Sequence, residues 1–307
     1  MNSPSISVVI VNWNGGDHLR RCLASLHEFG GESIDRITVV DNGSTDGSLE
    51  AARATSGVTV AEAGENLGFA KACNLGARQA TAEFLLFLNP DAAISPGVVE
   101  RVLSFMTEPA GVHVGICGVQ LVDEDGHIAR SCARFPTPLG LCLVALGLGR
   151  LLRGGGMLME DWTHDESREV DHVIGAFYLV RRSVFETLSG FDERFFMYLE
   201  DLDFSLRAHR LGWRCHYLSD VRAFHAGGGT SRQVKDRRLF YSLRSRIQYS
   251  TKHFDRLPAA MVFLLTVTLE PFVRMGWSAA RLAWGEVNQT IRAYRMLYQW
   301  IYQNSQP

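Results

Sequence analysis

Three carboxylates crowd into four residues at Glu200-Asp201-Leu202-Asp203, directly after the apolar run Phe195-Phe196-Met197-Tyr198-Leu199. Carboxylates this close repel one another unless a helix N-terminus or a cation offsets them. An apolar run feeding such a cluster places it where the core opens into a cleft, and a carboxylate there can act as a general base. The same residues also suit an acidic first turn of a surface helix. A further carboxylate, Asp91, ends the run Leu85-Leu86-Phe87-Leu88-Asn89-Pro90-Asp91. Phe84 to Leu88 reads as a strand buried on both faces, and Pro90 stops it. Asp91 then stands at the carboxyl end of a central strand, the edge where open α/β sheets bind ligands. There it can hold a divalent metal against a diphosphate, although Asn-Pro-Asp is equally a turn signal. His225 also directly follows a strand pattern and is a second candidate ligand; imidazole suits manganese better than magnesium. Alone it also reads as a hydrogen-bonded turn histidine. The following Gly227-Gly228-Gly229 lets backbone approach a ligand or lets a loop open and close.

Two other stretches can meet a nucleotide. Asp41 ends a strand pattern and can accept a hydrogen bond from a base imide or a ribose hydroxyl. Asp41-Asn42-Gly43-Ser44 is also an Asx-turn sequence. Asn66-Leu67-Gly68 opens a helix and can present N–H groups to a phosphate. It is neither a Gly-x-Gly-x-x-Gly nor a Walker loop.

The elements that must position these groups alternate. Strand patterns at 6–11, 37–40, 58–60 and 84–88 are separated by helix patterns, the signature of a doubly wound parallel sheet. Asp17 and Asp46 are cap candidates for two of the helices. Three strand tips, Asn12, Asp41 and Asp91, fall on one sheet edge if the crossovers are right-handed. Further strands are predicted at 114–121, 173–180, 213–217 and 221–224, a hairpin turn at 123–126, and helices at 95–106 and 200–211. The stretch 135–160 reads as irregular, with an exposed apolar loop or short helix at 139–152. From Lys235 the pattern is helical and basic, then apolar at 259–269. It ends on an amphipathic helix marked by Val287, Ile291, Tyr294, Tyr298 and Ile301.

The chain has 307 residues, 46% hydrophobic and 21% charged, an ordinary globular composition. A net charge of −2 argues against bulk nucleic-acid binding. The six cysteines form no Cys-x-x-Cys and fit a reducing compartment. No secretory signal pattern opens the sequence. The longest apolar stretch falls short of the roughly 20 residues a membrane span needs.

Taken together and in order, the motifs resemble those of the inverting, GT-A-fold family 2 glycosyltransferases. The matching stretches are Val8 to Asn14, Asp41 to Gly47, Glu65 to Ala70, Phe87 to Asp91, Gly175-Ala176, Gly190 to Phe196, Glu200 to Asp203, and His225. The likeness covers about residues 5 to 255 and is greatest to the bacterial rhamnosyltransferases, with the galactofuranosyltransferases close by. It implies that Asn12, Trp13, Asp41, Asn66, Gly68, Asn89 and Asp91 line the nucleotide-sugar pocket. Asp91 matches the last aspartate of the family's Asp-x-Asp metal motif, whose first position here is Asn89. The missing carboxylate makes His225 the expected second ligand for Mg²⁺ or Mn²⁺. Asp201, paired with Glu200, matches the catalytic base.

The resemblance implies a GT-A catalytic domain over 1–234, with a donor part to about 120 and an acceptor part to 234. A helical, membrane-associating extension follows over 235–307. The expected reaction moves a sugar, favoured as L-rhamnose from dTDP-rhamnose, to a glycan or polyprenyl-diphosphate-linked acceptor in cell-envelope polysaccharide synthesis. Galactofuranosyl or other hexosyl transfer is the alternative within the family. A metal-dependent nucleotidyltransferase or phosphohydrolase and a non-catalytic membrane adaptor are alternatives of other classes. The basic helix, the apolar stretch and the loop at 139–152 are expected either to lie on an anionic membrane at the cytoplasmic face or to pack as a cap or homodimer contact.

Overall fold

The computed structural model describes residues 4–149, 157–227 and 234–305. Two compact units emerge. The first takes in residues 1–135, 158–196 and 200–230, the second 136–157, 197–199 and 231–307.

The first unit is built on a nine-stranded sheet. β1 (Ile6–Asn12), β2 (Ile34–Asp41), β3 (Val58–Glu62) and β4 (Phe84–Leu88) alternate with α1 (Gly16–Phe29), α2 (Ser48–Arg53) and α3 (Phe69–Ala77). They pair in parallel in the order β3-β2-β1-β4. β1 and β4 are buried along their whole length, because helices cover both faces of the sheet. α1 turns Leu19, Cys22, Leu23 and Leu26 inward, the i, i+3, i+4, i+7 stripe of an amphipathic helix. Its N-cap is Gly15 rather than Asp17, which lies in the first turn and pairs with Arg20. Asp46 does meet the start of α2, its Oδ1 accepting from the Ser48 N–H at 3.1 Å.

β5 (Ala92–Ile94), α4 (Val98–Thr107) and β6 (Val114–Val122) come next. The 123–126 hairpin turn is present, closed by Asp123 N–H to His127 O. The strand expected over 173–180 is divided. β7 (Cys132–Ala133) pairs with β9 (His172–Val173) in a small separate sheet, and β10 (Phe177–Arg181) joins the main one. β10 runs antiparallel to both β4 and β6. α6 (Arg182–Thr187) and α7 (Glu200–Arg210) follow. The two strands expected after α7 are one, β11 (Arg214–His225), with a register shift between Leu218 and Arg222. β11 is parallel to β6 and antiparallel to β5 and to β8 (Arg168–Val170). Six strands therefore share one direction, and the sheet is mixed but mostly parallel.

The second unit holds α5 (Pro138–Ala145), α8 (Lys235–His253), α9 (Arg256–Thr268), α10 (Glu270–Ala280) and α11 (Trp284–Asn304). Leu243 and Ile247 of α8 pack with Tyr294 and Leu297 of α11. The buried stripe of α11 is Thr290, Ala293, Tyr294 and Leu297, so Tyr298 is exposed. Leu141 and Cys142 of α5 pack on Val262 of α9. Glu270 is buried between the guanidiniums of Arg246 and Arg274. Of the expected 139–152 segment, residues 150–152 lie outside the described residues, as does the run Gly228 to Ser231 after His225.

Candidate active site

The tips of β1 and β2 lie side by side, Asn12 against Asp41. Asn12 is fully buried. Its Nδ2 donates to Asp41 Oδ1 at 3.0 Å, Ser44 Oγ at 3.0 Å and Ser48 Oγ at 2.8 Å, and its Oδ1 accepts from the Gly15 N–H. Asn12 thus ties three segments together. Asp41 Oδ2 accepts from the N–H groups of Gly43 and Ser44, which is the Asx-turn its sequence allowed. Trp13, next to Asn12, is half-buried.

Asn42 carries the connection onward. Its Oδ1 accepts from the Leu67 N–H at 2.9 Å, and its Nδ2 donates to Asn66 Oδ1 and to Gly68 O, each at 3.2 Å. Asn66 Oδ1 also accepts from the Gly68 N–H. Gly68 has φ +82°, and a Cβ there would lie 2.3 Å from Phe196 O. Only glycine fits both the left-handed backbone and the close approach. The asparagine side chains and Gly68 together hold the turn that opens α3.

Asp91 and His225 meet at the other side of β4. β5 pairs with β11 so that His225 stands opposite Ala92, the residue after Asp91. Asp91 Oδ1 is 3.3 Å from His225 Nε2. Asn89 Nδ2 is 3.5 Å from the same nitrogen. Neighbouring ligands on a small divalent cation, each bonded at about 2.1 Å, lie about 3 Å apart, so this oxygen and nitrogen suit one ion. Among the described residues, Asp123, Asp125 and His127 also gather closely, but on an exposed hairpin turn.

The three carboxylates of the acidic cluster have separate fates. Asp203 is fully buried and paired with Arg207, Nε to Oδ2 2.8 Å. Glu200 is buried, and its carboxyl is pushed well above the usual range, by burial first and then by the charge of Asp201. Asp201 keeps some exposure, 18% of its side chain. Its Oδ1 accepts from the Leu202 N–H and its Oδ2 from the Gly175 N–H, both at 2.8 Å. Two residues with positive φ, Tyr198 (69°) and Leu199 (66°), lead directly into this turn.

Gly175-Ala176 links the Asp201 carboxylate to the turn that follows β4. The Gly175 N–H holds Asp201, and the Ala176 carbonyl accepts from the Asn89 N–H at 3.0 Å. One dipeptide just before β10 therefore sets Asp201 against the Asn89–Asp91 turn. A Cβ on Gly175 would come within 3.1 Å of Asp201 Oδ2.

His172 stands behind Asp201, Nε2 to Oδ2 3.6 Å. Burial pushes its pKa down, against the pull of Asp201 and Asp171. Its Nδ1 meets Ser205 Oγ at 2.9 Å, and Ser205 Oγ meets the Tyr178 hydroxyl at 2.7 Å. The sequence reading did not single out Asn42, His172, Tyr178 or Ser205 as site residues. Asn42 had a signal, being a second amide at a strand tip. The other three sit in ordinary strand and helix patterns.

The profile of the family described as Glycosyl transferase family 2 matches residues 7–189. An N-acetylglucosaminyl-diphospho-decaprenol L-rhamnosyltransferase of Mycobacterium tuberculosis is 31% identical over 240 residues, 72% of this chain and 75% of the relative. The rhamnosyltransferase WbbL of Escherichia coli is 28% identical over 59% of this chain and 69% of its own. Among solved structures, a Pyrobaculum calidifontis mannosyltransferase in complex with GDP-Man and Mn²⁺ superposes with a TM-score of 0.58 at 17% identity, covering 97% of this chain and 88% of that one. That likeness speaks for the fold. The profile spans well over half of the sequence and the mycobacterial likeness most of it, and on both counts the chain belongs to the family 2 glycosyltransferases.

Proposed function

We propose that this transferase moves L-rhamnose from dTDP-rhamnose to a polyprenyl-diphosphate-linked glycan, with inversion, in cell-envelope polysaccharide synthesis. The likeness to the mycobacterial L-rhamnosyltransferase supports the sugar and the acceptor class. The chemistry rests on one observation, the Gly175-Ala176 bridge that sets the Asp201 carboxylate against the Asn89–Asp91 turn.

In this reading the acceptor hydroxyl oxygen attacks the anomeric carbon on the face away from the diphosphate. The carbon–oxygen bond to the diphosphate breaks, and its electron pair leaves on the nucleoside diphosphate. The hydroxyl proton passes to Asp201, whose two oxygens are held by main-chain donors and whose side chain is partly exposed. Asp91 and His225 would hold a divalent cation, Mg²⁺ or Mn²⁺, with Asn89 beside them. When bound, it offsets the negative charge growing on the leaving diphosphate. The turns built by Asn12, Asp41, Asn42, Asn66 and Gly68 frame the nucleotide.

A lipid-linked acceptor calls for a surface that can meet a bilayer. Among the described residues no single helix is long and apolar enough to cross a membrane; α9 and α10, bent by 41°, pass that test only as a pair. Leu257, Met261, Leu264, Phe272, Trp277 and Leu282 are exposed along this pair and the turn after it. Arg256 lies among them, as do Arg274 and Arg281, which pair with Glu270 and Glu286. Apolar side chains beside cations support peripheral contact with the anionic cytoplasmic leaflet.

Incubation with dTDP-rhamnose, Mn²⁺ and a polyprenyl-diphospho-N-acetylglucosamine tests the function. Release of dTDP with an equal amount of rhamnoside of inverted configuration is expected. Free rhamnose alone, or transfer only from another nucleotide-sugar, refutes the donor assignment. EDTA is expected to abolish transfer. Asp201→Asn is expected to lose 10²–10⁴-fold in rate, and near-normal turnover would remove it as base. Flotation with anionic liposomes tests the membrane contact, which Phe272→Ser with Trp277→Ser is expected to weaken.

A further inference from the structure

A buried relay of three side chains leads to the candidate base and plays no part in the reading above. Tyr178, Ser205 and His172 come from β10, α7 and β9, and none is more than 3% exposed. The Tyr178 hydroxyl has one proton and two acceptors in reach: Ser205 Oγ at 2.7 Å and the Asp201 main-chain oxygen at 3.2 Å. Given to Ser205, the nearer of the two, it sets the direction of the relay. Ser205 Oγ–H is then free to donate to His172 Nδ1 at 2.9 Å. An imidazole that accepts at Nδ1 carries its proton on Nε2. Nε2 is the atom that faces Asp201 Oδ2, at 3.6 Å. The opposite tautomer would point a lone pair at a carboxylate.

We propose that His172 is a positioning residue for Asp201. The Tyr178–Ser205 relay fixes its Nε2–H tautomer, and that N–H favours the ionised, base-competent carboxylate. The proposal rests on reading Asp201 as the base. Other groups also act on the pair: Asp171 on His172, Glu200 and Asp203 along α7, and Cys73 of α3, whose thiol feels both Glu200 and Asp201. Arg207 bears on Tyr178. Burial pushes the His172 pKa down, toward the neutral ring, against the pull of Asp201 and Asp171. The carboxylate therefore gains a neutral donor rather than a second charge.

The test uses full-length protein labelled with ¹³C at the aspartate carboxyls. The Asp201 resonance is identified by its loss in Asp201→Asn, and its titration midpoint is followed in three variants. His172→Phe is expected to move the midpoint up by less than about one pH unit, the size of a full hydrogen bond to a charged group, because the contact is 3.6 Å long. His172→Gln, which keeps an N–H near the Nε2 position, is expected to leave it close to that of the unaltered protein. Ser205→Ala removes one hydroxyl and unlocks the tautomer. It is expected to shift the midpoint in the same direction but less, and it stands in for His172→Phe if that variant does not fold. An unmoved midpoint in the variants that fold, or Gln shifting it as far as Phe, overturns the proposal. In transfer assays with dTDP-rhamnose, the acid limb of kcat is expected to follow the NMR midpoint, with the donor KM unchanged within about twofold. A limb that stays put while the midpoint moves overturns the link to catalysis. If no variant transfers rhamnose, the substrate reading fails, while the midpoint still decides the role of His172.

Discussion

Arg207→Met separates the structural carboxylate of the acidic turn from the reacting one. Asp203 is fully buried, and Arg207 Nε donates to its Oδ2 at 2.8 Å. The same guanidinium donates to the carbonyls of Leu188 and Gly190, each at 2.8 Å. It thereby pins α7 to the turn that starts Gly190-Phe191-Asp192. Removing the cation takes the Arg207 contact from Asp203 and leaves two carbonyls without that donor. Breaking a buried pair in this way costs about 3–5 kcal/mol. With an m-value of ~3 kcal/mol/M, a loss of about 4 kcal/mol lowers the urea midpoint by roughly 1.3 M. Urea unfolding followed by tryptophan fluorescence measures it, with the two units fitted as separate transitions. Asp203→Leu alone is expected to cost less, because Arg207 keeps its two carbonyl acceptors. Combined with Arg207→Met it is expected to recover at least about 2 kcal/mol of the single-variant loss. Asp201→Asn, by contrast, is expected to stay within about 1 kcal/mol of the unaltered protein, a hydrogen-bond-sized change, while losing turnover. The reasoning fails if Arg207→Met unfolds within about 1 kcal/mol of the unaltered protein, or if the double variant is no more stable than the single one.

Gly68→Ala is expected to displace the turn before α3, since its Cβ would lie 2.3 Å from Phe196 O on a backbone with φ +82°. A lower melting temperature and a smaller thermal shift with dTDP and Mn²⁺ would report it; unchanged values would refute it. Burial lowers the pKa of His164 and His172, so the unfolded chain binds more protons than the folded one below the ordinary histidine range. Stability is therefore full above about pH 6.5 and falls as the pH drops from there toward the folded-state values. Urea midpoints taken across that range check the slope, which His164→Gln is expected to flatten. All six cysteines are buried. Burial pushes the thiols of Cys117 and Cys132 up to about 12 and those of Cys22, Cys73 and Cys215 well above the ordinary value. A disulfide reagent at pH 8 is expected to label almost none of them until urea is added; rapid labelling of the folded protein would contradict that burial.

The central strands were legible because burial on both faces writes a continuous apolar run, as in Phe84 to Leu88. β5 was not, because three residues carry no period. It is a strand only through its pairing with β11. The direction of β10 was equally unreadable, since an apolar run reads the same in parallel and antiparallel neighbours. The acidic cluster was visible, but its division of labour was only half encoded. Helical geometry turns Asp201 and Asp203 about 200° apart. Which of the two faces the core depends on Arg207 and the 188–190 carbonyls.

By itself the sequence determined the family and the order of its motifs. Both reside in local residue types: strand tips ending in Asn12, Asp41 and Asp91, the turn before α3, and the acidic start of α7. Tertiary structure alone decided which polar groups the fold consumes and which it leaves for chemistry. Asn12 reaches Asp41 across 29 residues, His225 reaches Asn89 across 136, and Gly175 reaches Asp201 across 26. Side chains that far apart along the chain meet only through strand pairing and helix packing. No local pattern records whether a carboxylate ends up fully buried against a guanidinium, like Asp203, or partly exposed between two main-chain donors, like Asp201.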